Sequence, residues 1–111
     1  MELTMVAGPN GVAVVQPVGR LDLLSASELR QTLIDAVAAG KHRLVVDLAG
    51  VPFVDSSGLA ALISGLKAAR LAGGDLRIAR PGQQARTVFE LTRLDRVLPG
   101  YSSVEEAAAG Y

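Results

Sequence analysis

Asp55, Ser56, Ser57 and Gly58 have the clearest chemical potential in this sequence, because they lie where one apolar pattern stops and another begins. Upstream, Leu44-Val45-Val46-Asp47-Leu48 is a short, nearly continuous apolar run that reads as a buried strand. Downstream, Leu59, Leu62, Ile63 and Leu66 recur at helical spacing and form one apolar face. An acid, two hydroxyls and a glycine between them are residue types suited to a helix N-cap rather than a helix interior. A helix start leaves several backbone N–H groups unpaired and carries partial positive charge, so it can receive an anion. A serine at this point is either a structural cap or a place to put a phosphate; Ser56 is expected at the N-cap, half outside the helix, with Ser57 serving the first turn.

Other chemistry is poorly supplied. Ser56 or Ser57 could act as a nucleophile, but no Gly-x-Ser-x-Gly elbow surrounds them. The one imidazole is His42, in Lys41-His42-Arg43 at the N-terminal end of the apolar run. The serines follow the other end, a strand length away, so His42 reads as a solvated loop histidine and no triad is expected. Asp22, Asp47 and Asp55 are the candidate metal carboxylates, with no histidine or cysteine ligand near them, so neither metal nor cofactor is expected. Asp22 reads instead as a brace for the Gly19–Leu24 loop, through backbone N–H groups nearby. Gly73-Gly74 lacks the Lys-Ser or Lys-Thr of a phosphate cradle and reads as a helix C-cap leading into a strand. Gly58, Ala61, Gly65 and Ala68 make a stripe of small residues along the helix after the serines. A glycine inside a helix costs about 1 kcal/mol, so close approach of another backbone is implied, either a helix of this chain or a partner. Internal packing is the favoured of the two.

The elements that must hold this seam follow from turn signals and periodicity. Leu3–Val6 and Val12–Val18 flank Gly8-Pro9-Asn10-Gly11 and read as an antiparallel hairpin, with Pro17 limiting the ladder of the second strand. Ser25-Ala26-Ser27-Glu28 has capping-box spacing before a helix whose buried stripe is Leu29, Leu33, Ala36 and Val37, ended by Gly40. Leu76–Ala79 is a further strand, and Pro81-Gly82 opens a helix with Ala85, Val88, Phe89 and Thr92 on one face. Val97-Leu98 reads as a short edge strand, and Ser103 to Glu106 has capping-box spacing for a last helical turn or two. Strands alternating with helices give an α/β fold with parallel strands and right-handed crossovers. The expectation is one domain over residues 1–111, with a mixed, mostly parallel sheet and helices mainly on one face.

Bulk composition narrows the function classes. Of 111 residues half are hydrophobic but only 4% aromatic, with no tryptophan, so the core must be aliphatic. Eleven basic and eleven acidic residues cancel, which argues against a nucleic-acid partner, since such partners demand clustered positive charge. No cysteine is present, which fits a reducing cytoplasm. The N-terminus lacks a signal-peptide pattern and no apolar run approaches a membrane span, so no membrane partner is expected.

Phe53-Val54-Asp55-Ser56-Ser57-Gly58-Leu59 resembles the signature of the STAS domain, and specifically that of bacterial anti-sigma-factor antagonists. Gly19-Arg20-Leu21-Asp22 resembles the family's Gly-x-Leu/Val-Asp loop, Leu44–Leu48 its central strand, and Gly73-Gly74-Asp75-Leu76 its lead-in to the next strand. Arg20 stands where the family often has an acidic residue. The resemblance implies a non-enzymatic STAS domain whose Ser56 is phosphorylated by the anti-sigma factor, an ATP-dependent serine kinase. Unmodified protein would sequester that kinase and free a sigma factor, and a separate phosphatase would reset it. Asp22, Asp55, Ser56, Ser57 and Gly58 would form the partner-binding surface. Two other readings compete: a non-switching STAS subunit of a stress-signalling or lipid-transport assembly, with Ser56 only an N-cap, and a small serine hydrolase.

Overall fold

The computed structural model describes residues 1–111. Strand β1 (Glu2–Ala7) and strand β2 (Ala13–Val18) pair antiparallel across a 3-10 turn at Pro9–Gly11. Asn10 (φ 55°) and Gly11 (φ 73°) both take the left-handed backbone this turn requires, which an Asn-Gly pair accepts readily. Helix α1 (Ala26–Ala38) then leads to β3 (Arg43–Asp47), and helix α2 (Ser56–Leu71) to β4 (Asp75–Ala79). Helix α3 (Gln83–Leu91) precedes the two-residue β5 (Gly100–Tyr101), and a short α4 (Val104–Ala108) follows it. The strands lie in the order β1-β2-β3-β4-β5, parallel except for β1. The β2–β3 ladder runs from Ala13↔Leu44 to Val15↔Val46 and stops short of Pro17, while the β1 side continues to Val18.

Period-2 alternation along the strands builds two cores. Val15, Leu44, Val46, Leu76 and Ile78 face Leu29, Leu33, Leu62, Leu66 and Phe89 from α1, α2 and α3. Val12, Val14, Val45 and Ala79 point to the other face, where only α4 covers them with Ala107 and Ala108. Helices therefore do lie mainly on one face. The small cover is pinned rather than broadly packed: Arg77 Nη1 donates to the Ala107 and Ala109 carbonyls at 3.0 and 2.7 Å. Its guanidinium also sits 4.1 Å from the Tyr111 ring centroid, and the Tyr111 hydroxyl donates to the Leu44 carbonyl at 2.7 Å. Burial pushes the Tyr111 hydroxyl pKa well up.

The small-residue stripe is explained internally. A Cβ on Gly65 would lie 2.6 Å from Leu33 Cδ1, so α1 and α2 meet at a separation that only glycine permits there. Ala61 is buried and Ala68 half-buried on the same helix.

Several local expectations need correction. Ser25 does not cap α1: its backbone is helical and its side chain makes no cap bond, because the buried hydroxyl is engaged by the preceding loop. Val97-Leu98 is not a strand; a 3-10 turn at Leu94–Arg96 precedes it, and Leu98 is driven wholly into the core while Gly100–Tyr101 forms the strand. Thr92 is the exposed C-cap of α3, with its hydroxyl donating to the Val88 carbonyl at 2.7 Å, so only Ala85 and Phe89 are fully buried on that helix. Ile63 is half-buried, at the margin of the apolar face of α2 rather than on it.

Candidate functional site

The loop after β2 and the segment after β3 run side by side beyond the C-terminal ends of the parallel strands, the usual edge for sites in open α/β sheets. Leu21 and Val54 form a single parallel bridge. The Leu21 N–H donates to the Phe53 carbonyl (2.8 Å) and the Asp55 N–H to the Leu21 carbonyl (3.1 Å). Leu21 and Val54 turn inward and are essentially fully buried. Their successors, Asp22 and Asp55, are thereby brought alongside one another on the opposite side of the backbone. Gly58 completes the closure: a Cβ there would lie 2.6 Å from both Cγ and the carbonyl oxygen of Leu21.

Short polar side chains shape the loop. The Ser25 hydroxyl donates to the Arg20 carbonyl at 2.7 Å and accepts the Asp22 N–H at 3.0 Å. Asp22 Oδ1 accepts the Leu24 N–H at 3.1 Å, the bracing role its type suggested. This turn holds Leu23 and Leu24 out in solvent, 76% and 90% exposed. Arg20 stacks on Phe53 with 4.0 Å between guanidinium carbon and ring centroid, and its Nε lies 3.8 Å from Asp22. No sequence pattern announces that stack, because it joins two segments that only the Leu21–Val54 bridge brings together.

The cap of α2 is Asp55, and not a serine. Its carboxylate accepts the N–H groups of Ser57 (2.9 Å) and Gly58 (3.1 Å). Ser56 is therefore the first helical residue, exposed, with a hydroxyl that makes no hydrogen bond in the protein. Ser57 is half-buried and lines a shallow groove between α1 and α2 with Leu23, Arg30 and Ser64. Gln84, on α3, holds both backbone groups of Val54 just ahead of the cap. Sequence reasoning passed over that residue as one polar position in an amphipathic helix.

Each of the three candidate carboxylates has its own neighbour. Asp22 braces its loop and Asp55 caps α2, while buried Asp47 accepts two hydrogen bonds from Arg80, at 3.0 and 2.5 Å, and one from the Ala49 N–H. Burial alone would raise the Asp47 pKa, but Arg80 and that N–H outweigh it and hold the carboxyl below its usual range. His42 departs from expectation. It is half-buried rather than solvated, with Nδ1 shielded and unpartnered. It immediately precedes β3, about 16 Å of strand from the serine end, so the fold does not bring it to Ser56 or Ser57.

A signature junction, a bracing loop and a parallel sheet backed by α1–α3 together define a STAS domain. The chain belongs to the STAS domain family, whose model matches residues 4–107. It is 31% identical over 107 residues to the anti-sigma-F factor antagonist RsfB of Mycobacterium tuberculosis, covering 95% of this chain and 85% of that protein. An anti-sigma factor antagonist from Mycobacterium paratuberculosis superposes with TM-score 0.80 at 30% identity, covering 96% and 91% of the two chains. A Thermotoga maritima structure described as a putative anti-sigma factor antagonist gives 0.87 at 24% identity, covering 95% and 90%, and so supports the fold.

Proposed function

We propose that this protein is an anti-sigma factor antagonist that binds a serine-kinase anti-sigma factor when unmodified and releases it when Ser56 is phosphorylated. One observation carries the reading. Asp55 takes the capping role, which leaves Ser56 exposed on the first turn of α2 with a hydroxyl that has no structural duty. The partner surface comprises Asp22, Asp55, Ser56 and Ser57, with Gly58 setting the close approach of loop and helix that shapes it. The protein acts through this surface and not by catalysis, in the cytoplasm, where ATP is available to its kinase. A separate phosphatase returns it to the binding form.

The switch follows from charge. Phosphorylation adds about −1.5 to −2 charges and three strong acceptors. A helix N-terminus favours an anion by up to roughly 2 kcal/mol. Here that benefit is reduced, because Asp55 already occupies the Ser57 and Gly58 N–H groups, and its carboxylate, next in the chain to Ser56, repels the newcomer. The core behind the helix, with Leu59 and Leu62 buried, does not depend on the Ser56 hydroxyl. A partner seated over Ser56 must instead strip water from a dianion. A few kcal/mol lost there lowers affinity tenfold for about every 1.4 kcal/mol.

Incubation with candidate anti-sigma kinases and ATP, followed by mass-spectrometric mapping, tests the proposal. Phosphate should appear on Ser56 and binding should fall with its appearance. A kinase complex indifferent to modification would favour the non-switching alternative.

A further inference from the structure

Val54 has left the sheet before α2 begins, yet its backbone is as fully paired as that of a central strand. Phe53 and Asp55 turn their bonding groups toward Leu21 on one side. By strand alternation the N–H and carbonyl of Val54 point to the opposite side, where no strand lies against this segment. Gln84 fills the gap. Its Oε1 accepts the Val54 N–H at 2.8 Å and its Nε2 donates to the Val54 carbonyl at 2.9 Å. Val54 is 1% exposed, so without the amide both groups would be buried and unsatisfied.

The side-chain chemistry is specific. An amide offers one acceptor and one donor at the separation a neighbouring strand would present them; a carboxylate offers acceptors alone, and a thioether neither in strength. Gln84 is also well seated, in the first turn of α3, whose Ala85 and Phe89 are locked in the core.

We infer that Gln84 is a positioning residue for the phosphate acceptor: its amide replaces a strand beside Val54 and fixes the backbone from which Asp55 and Ser56 project. The inference rests on the reading of Ser56 given above. It also makes α3 part of the machinery, since any shift of that helix pulls directly on the residue before the cap.

The test combines hydrogen exchange of the protein alone with kinetics of Ser56 phosphorylation by whichever candidate anti-sigma kinase modifies the wild type. In Gln84→Met, which keeps length and loses both bonds, protection of the Val54–Gly58 amides should fall about tenfold or more, as two lost hydrogen bonds imply. The β3 and β4 amides should keep their protection. Phosphorylation should slow by about fivefold or more through kcat rather than KM, because the hydroxyl is misdirected while the docking surface persists. Unchanged exchange at the junction, or an equal loss throughout the chain, would overturn the inference, as would unchanged kcat. Should Gln84→Met fail to fold, Gln84→Glu carries the same comparison, since it keeps the acceptor for the Val54 N–H and replaces the donor to the Val54 carbonyl by an oxygen that repels it. If no kinase modifies the wild type, the Ser56 reading fails, while the exchange result still decides whether Gln84 holds the junction.

Discussion

Ser56 and Ser57 carry the same hydroxyl on adjacent residues, and the fold gives them different surroundings. Ser56 faces solvent on the outer side of the first turn; Ser57 is half-covered in the groove between α1 and α2. Ser56→Ala should therefore abolish phosphorylation and leave the partner bound constitutively, whereas Ser57→Ala should still accept phosphate; mass mapping of the two variants separates them. Ser56→Glu should bind the kinase weakly in calorimetry. Asp55→Ala removes the cap and should lower stability by about 1 kcal/mol, read as a fall of roughly 4–8 °C in Tm. The sequence marks this junction as a helix start but points to Ser56 as the N-cap, one residue late, because Asp55, Ser56 and Ser57 are all competent caps and Asp55 takes the role. Contacts from Leu21 and Gln84, more than thirty and about thirty residues away in the chain, decide the matter. Spacing within the motif carries no trace of either.

Among the elements, helices α1 and α2 show what local pattern can and cannot convey. Their apolar stripes were legible, and so was the need for small residues on α2. The meeting partner was not, since Leu33 and Gly65 belong to separate periodic segments. Gly65→Val should force Leu33 aside and destabilise by about 1–3 kcal/mol, visible as a lower urea midpoint at unchanged m-value. Ser25 was misread for a related reason. Its spacing to Glu28 satisfies the capping-box pattern, but the buried hydroxyl finds Arg20 and Asp22 first. Val97-Leu98 was misread because two apolar residues suit a strand and a core anchor equally. The right answer depends on Leu98 reaching the space beside α3.

For the molecule as a whole, the order of elements sufficed to give the parallel sheet and the one-sided helix layer, because right-handed crossovers leave few alternatives. The pinned cover formed by α4 was less legible: a short alanine-rich turn says nothing of Arg77 and Tyr111, which hold it down. Phosphorylation of Ser56 should leave Tm within a degree or two, since no buried contact depends on that hydroxyl. Acid should act differently. Asp47 has a folded pKa below its ordinary 3.8, so its contribution is present above that value and is lost as pH falls through the lower folded one. Asp47→Asn should be less stable than wild type at neutral pH and show a flatter decline below about pH 4 in acid titrations followed by circular dichroism. Strand order has a different consequence. Since β1 to β5 lie in the sheet in the order in which they occur in the chain, no strand has to be threaded between two already in place. Each is laid against the last at one growing edge, β2 after a tight hairpin and β3 to β5 after crossovers of roughly 20–27 residues, whose closure penalty rises only slowly with length. A ribosome delivering the chain from N to C thus presents each strand after β1 with a finished neighbour, and α4, which seals the second face, follows all five strands.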